Sequence, residues 1–188
     1  MAYVAFFDAN ALVPYVVCDL ILRLAERGLY RPAWSEAVLD EMSRSLERIH
    51  PELGDERLAR RRSTMEAKFD YALVTGFEAL IPNMPVAKED RHVAAAAVVA
   101  RADVLVTSDK RHFPAGALDA FDIQIESPDD FLVDQLTLQP DVVRSEVAEQ
   151  ALSRQRPPVT LEEHLASLGK RVPRFARLLG KNTAPASS

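Results

Sequence analysis

The chain has 188 residues, nearly half apolar and about a quarter charged, with a net charge of −5, which suits one globular domain with a small extension. Its single cysteine, Cys18, excludes an internal disulfide and points to a reducing cytoplasm. The longest apolar stretch, Ala11 to Ala25, is broken by Pro14, Asp19 and Arg23 and is too short and too charged to span a bilayer, and the N-terminus does not read as a signal peptide.

Val4-Ala5-Phe6-Phe7 reads as a short buried strand that ends at Asp8. Leu12 to Ala25 reads as a helix, with Pro14 near its start and Gly28 suited to the position after its end. Leu29 to Ala33 offers a second strand. Ser35 caps the next helix, on which Val38, Leu39, Met42, Leu46 and Ile49 form an apolar face. Asp55 caps a further helix, Glu56 to Phe69, and Val74 to Leu80 is an ambiguous, strand-like run. After a loop over Asn83 to Glu89, Asp90 to Ala102 is an alanine-rich helix. Val104 to Thr107 is a strand by its β-branching, Leu118 to Phe121 a single helical turn, and Ile123 to Glu126 the last strand.

Ser127-Pro128 opens a helix that runs to about Leu138. Only helical patterns follow. They are Asp141 to Gln155, a helix opened by the capping box Thr160 to Glu163 with Gly169 after it, and Pro173 to Leu179 stopped by Gly180. Lys181 to Ser188 is small and polar, and disorder is expected there. Alternating strands and helices predict an α/β fold, a three-layer α/β/α sandwich around a central, mostly parallel sheet. The expected divisions are a domain over 1–135, a helical C-terminal extension over 136–180 and a tail over 181–188.

Four acids stand out. Asp8 and Asp109 each follow an apolar strand, and carboxylates at strand ends of an open α/β sheet face the crevice where such sheets bind ligands. Glu41 flanks the apolar face that contains Val38, and Asp90 opens the alanine-rich helix. Taken singly, each has an ordinary reading as a turn residue, a cap or an exposed helix glutamate. Together they form a set of oxygen donors suited to Mg²⁺ or Mn²⁺. Asn10 and Thr107 are neutral groups placed to orient these carboxylates or ligated water, or to make local turn bonds.

The remaining polar residues carry weaker signals. His50, His92, His112 and His164 make no zinc pattern. Lys110 and Arg111, just past Asp109, are placed for phosphate contacts, as are Arg91 and His92 beside Asp90. Arg60-Arg61-Arg62 is a basic run on a helix, either a grip on a phosphate backbone or a solvated face. Trp34 and Tyr30 serve either base stacking or core packing, and Cys18 reads as a small buried hydrophobe. Residues 1–135 hold 15 Lys and Arg against 23 Asp and Glu, whereas the rest of the chain holds 8 against 5.

Phe6-Phe7-Asp8-Ala9-Asn10 resembles the opening of a PIN domain. Glu89-Asp90-Arg91-His92 with the following alanines resembles the family's third acidic segment, and Val106-Thr107-Ser108-Asp109-Lys110-Arg111-His112-Phe113-Pro114 its fourth. The second segment has the least specific motif; it is placed at Glu41, with Asp40 as the rival. The resemblance covers about residues 3–135 and implies a metal-dependent nuclease acting on RNA, with Asp8, Glu41, Asp90 and Asp109 as its metal-binding and catalytic acids. Many bacterial members are VapC-type toxins restrained by a small protein antitoxin, and such toxins commonly pair, so a homodimer is expected. The helices after residue 140 resemble the C-terminal extension of one bacterial subgroup. One departure is visible: the family often carries another acid just before the phenylalanine of the fourth segment, and this chain has His112 there. Two other readings compete, a non-catalytic PIN-like module that binds RNA or protein, and a receiver-like domain with Asp8 as phosphoryl acceptor. The second lacks the paired acid and the well-placed lysine that it needs.

Overall fold

A computed structural model describes residues 3–154 and 157–181. Strand β1 spans Val4–Phe7. The helix expected after it is two helices, α1 (Ala9–Leu12) and α2 (Tyr15–Glu26), because Pro14 takes an extended conformation and becomes the N-cap of the second. Gly28 follows α2 with φ +78°, the left-handed geometry that glycine adopts without strain. Strand β2 (Arg31–Ser35) leads directly into α3 (Glu36–Ile49), where Ser35 Oγ accepts a hydrogen bond from Val38 N. Helix α4 spans Gly54–Lys68 and β3 only Leu73–Val74. The strand-like run beyond β3 is instead a 3-10 segment, Glu78–Asn83. A 3-10 turn over Lys88–Asp90 precedes α5 (Arg91–Val99), then come β4 (Val104–Val106) and β5 (Gln124–Glu126).

The five strands form one sheet in the order β3-β2-β1-β4-β5, and every pairing among them is parallel. The chain builds outward from β1 to β3 on one side and then returns to build β4 and β5 on the other. The order therefore reverses between β1 and β4, the position at which open parallel sheets hold ligands beyond their carboxyl ends. Phe7 pairs with Val106 there, and the ladder continues past both strands: Asp8 N donates to Val106 O at 3.0 Å and Thr107 N to Glu126 O at 2.9 Å. Phe6, Phe7, Leu105, Val106 and the run Val93 to Ala97 of α5 are buried. The alanines of α5 let its backbone approach β2 closely, which fixes Asp90 at its N-terminus.

Four further helices are α6 (Pro128–Leu138), α7 (Pro140–Ser153), α8 (Leu161–Gly169) and α9 (Pro173–Lys181). The capping box of α8 forms as expected: Glu163 N donates to Thr160 Oγ1 at 3.1 Å and Thr160 N to Glu163 Oε2 at 2.8 Å. Gly169 and Gly180, expected outside the helices, lie within α8 and α9, and neither has a positive φ. Two compact units emerge, one of Met1–Val13 with Tyr30–Ser127 and one of Pro14–Leu29 with Pro128–Ser188. The first holds the sheet. The described helices of the second are packed α2 on α7 and α8, and α9 on α6 and α8. Residues 182–188 of the expected tail lie outside the described residues.

Candidate active site

The site starts from the two strand ends. Asp8 is 3% exposed, and each of its hydrogen-bond donors is neutral. Oδ1 accepts from Ala9 N at 2.6 Å, so Asp8 also caps α1. Oδ2 accepts from Asn10 Nδ2 at 2.6 Å and from Thr107 Oγ1 at 2.7 Å. Thr107 is buried, and its hydroxyl oxygen accepts in turn from Asp109 N at 3.1 Å. Asn10 accepts from Ser108 N at 2.7 Å. Asn10 and Thr107 thus tie the end of β1 to the loop after β4 and fix the orientation of the Asp8 carboxylate.

Three other acids contribute. Burial pushes the Asp8 carboxyl above the ordinary carboxylate range, and the charges of Asp90 and Glu41 push in the same direction. Asp90 is likewise raised, first by burial and then by Asp109, against the pull of His112 and His92. Asp90 stands at the N-cap position of α5 but makes no capping bond; its Oδ2 lies 2.8 Å from His112 Nδ1. Asp109 Oδ2 lies 3.4 Å from the same nitrogen, and Arg111 Nε donates to Asp109 Oδ1 at 2.6 Å. The Arg111 guanidinium holds the Asp109 carboxyl below its ordinary value. Glu41 Oε1 is 3.1 Å from His92 Nε2, an ion-pair distance that lacks the direction of a hydrogen bond. Glu41 holds the His92 imidazole above its ordinary value, with Asp8 a smaller cause.

The structure separates the two candidates on α3. Asp40 pairs with Arg62 of α4, which also holds Glu66 at 2.9 Å and Glu36 at 3.5 Å. Glu41, the next residue, instead faces His92 of α5. Neighbouring helix positions differ by about 100°, which is enough to send one side chain to each helix.

The basic residues are largely engaged within the chain. Arg91 donates to Pro82 O at 3.2 Å and to Val86 O at 3.4 Å. In the basic run of α4, Arg60 pairs with Glu56, Arg61 donates to Leu12 O and Arg62 holds three acids. Lys110 and Arg111 are exposed. Trp34 and Tyr30 are buried, so they pack the core rather than present faces for bases, and Cys18 is buried as expected. His112 is the residue whose contacts the sequence did not announce. Its signal was its spacing, three residues after Asp109, which a 3-10 turn over Lys110–His112 brings back onto the acid.

Four carboxylates are the donor set that a hard divalent cation requires, and the mutual repulsion felt at Asp8 and Asp90 is what such a cation relieves. Among the described residues, no group of three or more His, Cys, Asp or Glu side chains is already arranged to hold a metal ion. The acids instead meet the chain's own donors: His112 lies against Asp90 and Asp109, Arg111 against Asp109, and His92 against Glu41. No helix among the described residues is long and apolar enough to cross a membrane.

A protein of Mycobacterium tuberculosis (strain ATCC 25618 / H37Rv), named "Putative ribonuclease VapC50", is 41% identical over 105 residues, which cover 56% of this chain and 62% of that relative. The chain thus spans less than two thirds of the relative's length. Residues 128–181 match the VapC50 C-terminal domain family. No solved structure gives a significant match. Residues 4–111, more than half of the chain, match the PIN domain family, and the chain belongs to that family.

Proposed function

We propose that the chain is a divalent-metal-dependent endoribonuclease that hydrolyses RNA phosphodiester bonds, and that it is the toxin of a toxin-antitoxin pair. The observation that carries this reading is the state of Asp8. It is a buried carboxylate at the switch point of the sheet, bonded only to neutral donors and burdened by two further acids. A fold that needed only a cap or a turn has no use for that accumulation of negative charge.

Asp8, Glu41, Asp90 and Asp109 would hold Mg²⁺ or Mn²⁺. When bound, the ion supplies activation of a water and charge stabilisation at the leaving oxygen. Asn10 and Thr107 hold Asp8 in one orientation by donating to the same oxygen. Lys110 and Arg111, exposed beside Asp109, are positioned to meet a phosphate, with His92 and Arg91 nearer the start of α5. The relative's name supports RNA as the substrate and its designation supports a protein antitoxin as a partner. A homodimer and a cytoplasmic location belong to the same reading.

The missing three-ligand arrangement favours a second reading, a PIN module that binds RNA or protein without cleaving. Incubating the full chain with a random RNA pool in Mn²⁺, Mg²⁺ or excess EDTA separates the two. The nuclease reading expects cleavage that needs the metal and that Asp8→Asn removes. Full cleavage in EDTA, or cleavage unaltered by Asp8→Asn, contradicts it, and RNA binding with no cleavage under any condition supports the second reading.

A further inference from the structure

We infer that the exposed face of α9, together with the turn before it, is a binding surface for the phosphate backbone of RNA. The inference rests on the reading of RNA as the substrate. After Glu163 the sequence contains no further acid, yet it contains Lys170, Arg171, Arg174, Arg177 and Lys181. All of these are exposed. Successive helix positions turn by about 100°, so Arg174, Arg177 and Lys181 fall within about 60° of one another. The buried residues Phe175, Ala176 and Leu179 lie on the opposite side of the helix, which packs on α6 and α8.

The charge balance separates this face from an ordinary solvated one. Many arginines elsewhere are engaged: Arg23 and Arg27 with Glu146, Arg62 with three acids, Arg111 with Asp109. On α9 Arg174 is met by Asp130, and Asp129 caps the helix by accepting from Arg174 N at 3.0 Å and Phe175 N at 2.9 Å. Among the described residues, the side chains of Lys170, Arg171, Arg177 and Lys181 make no ion pair. Unpaired cations gathered on one face attract a polyanion, whose condensed counterions are released when it binds. Residues 1–135, with 15 Lys and Arg against 23 Asp and Glu, offer a polyanion little of that attraction. A protein partner matches the face less well. Such interfaces are anchored by buried aromatic and aliphatic side chains, and the exposed large apolar residue of α9 is Leu178 alone among those described.

Fluorescence anisotropy of a labelled, mixed-sequence single-stranded RNA, titrated with the full chain in EDTA between about 50 and 200 mM salt, counts phosphate contacts through the slope of log K against log salt. Each contact contributes about 0.7 to that slope, so changing Lys170, Arg171, Arg177 and Lys181 together to Gln should flatten it by about 2 to 3. The thermal midpoint should hold, because these side chains are exposed and make no ion pair. Changing the exposed Arg44, Arg48, Arg57 and Arg60 of the sheet unit to Gln removes the same charge and should flatten the slope by less than about 0.7. Equal flattening by the two sets would assign the attraction to net charge and overturn the inference, as would an unchanged slope in the α9 set. Should the α9 set fail to fold, Arg177→Gln and Lys181→Gln decide singly: each should flatten the slope by about 0.7, and no change in either overturns the inference. Poly-glutamate titrated in parallel tests the other occupant. Loss of its binding in the α9 set, with RNA binding intact, would assign the face to an acidic protein segment and also overturn the inference. Cleavage of RNA by a wild type whose salt slope the α9 set leaves unchanged keeps the nuclease reading standing. A wild-type chain that neither binds nor cleaves RNA overturns both.

Discussion

Each unit of the molecule buries a carboxylate to the same depth and treats it differently. Asp8 in the sheet unit and Glu146 in the helical unit are both 3% exposed. Glu146 is compensated: Arg27 pairs with one of its oxygens, and Arg23 approaches the other at 3.9 Å. The surrounding polar groups bond to one another, although the buried His164 Nδ1 has no partner. Gln150 donates to Val16 O at 2.9 Å and to Asp19 at 2.8 Å, and accepts at 2.8 Å from His164 Nε2. Around Asp8 the arrangement is the reverse, with neutral donors and further acids. Burial of a charge is thus not by itself the mark of function. A compensated one ties helices together, whereas an uncompensated one leaves the fold carrying a repulsion that an added cation removes.

The sharpest break in the comparison is expected from neutralising each acid in turn. Asp8→Asn should lower metal-dependent RNA cleavage at least about a hundredfold, about 2.7 kcal/mol in the barrier. The thermal midpoint of the metal-free protein at neutral pH should hold or rise, because the ionised Asp8 is disfavoured by its surroundings. Glu146→Gln should do the opposite. It removes the buried charge between Arg27 and Arg23 and should cost on the order of 1 kcal/mol of stability, below the full cost of a broken buried pair because Arg27 is half exposed and keeps Glu149 while Arg23 keeps Asp19. Cleavage per folded molecule should be nearly unchanged. Equal losses of stability in both variants would erase the distinction.

A finer contrast lies within α3. Single-turnover cleavage by Glu41→Gln and by Asp40→Asn should differ by at least about tenfold, or 1.4 kcal/mol, with the larger loss at Glu41. Asp40 is held by Arg62 of α4, whereas Glu41 is within the electrostatic reach of Asp8. A larger loss for Asp40→Asn would mean that Arg62 releases it when the site is working.

How much of this was legible in the sequence varies from element to element. The strands before Asp8 and Asp109 were legible because short apolar runs ending in an acid leave few alternatives. The rotation of α3 was legible from the stripe Val38, Leu39, Met42 and Leu46, all of them buried. Strand β3 was not, because two residues carry no period and the pairing of Trp34 with Leu73 is a tertiary choice. The break at Pro14 was missed because proline is tolerated in a first helical turn, so its role as a boundary shows only once α1 and α2 separate. The four acids could be found one by one, but what meets each of them could not. Arg62 lies 22 residues from Asp40 and His112 lies 22 from Asp90, and no local rule reports such distances. Gly180 was read as a stop, yet α9 keeps right-handed geometry through Lys181.

The smallest expected effect is a divergence with pH. His164 is fully buried, and burial, followed by the charge of Arg154, holds its imidazole below the ordinary value of 6.5. The unfolded chain binds that proton more readily, so this contribution to stability is lost as pH falls below 6.5 towards the lowered folded value. Asp8 and Asp90 are raised above 3.8, so the folded state takes up their protons first and gains stability as pH falls through their folded values. Thermal midpoints at pH 7 and pH 5.5 should therefore show His164→Gln losing less on acidification than wild type. An identical acid response in His164→Gln and wild type would remove His164 from the account.

The measurement closest to the central claim is the thermal midpoint of the full chain with and without excess Mn²⁺, for wild type, Asp8→Asn and Glu146→Gln. Ligand at a hundred times its Kd stabilises a fold by about 2.7 kcal/mol. Wild type and Glu146→Gln should both rise with Mn²⁺, from different starting points, and Asp8→Asn should rise far less. An equal rise in all three, or no rise in wild type, would contradict the claim that the uncompensated carboxylates around Asp8 are the cation site.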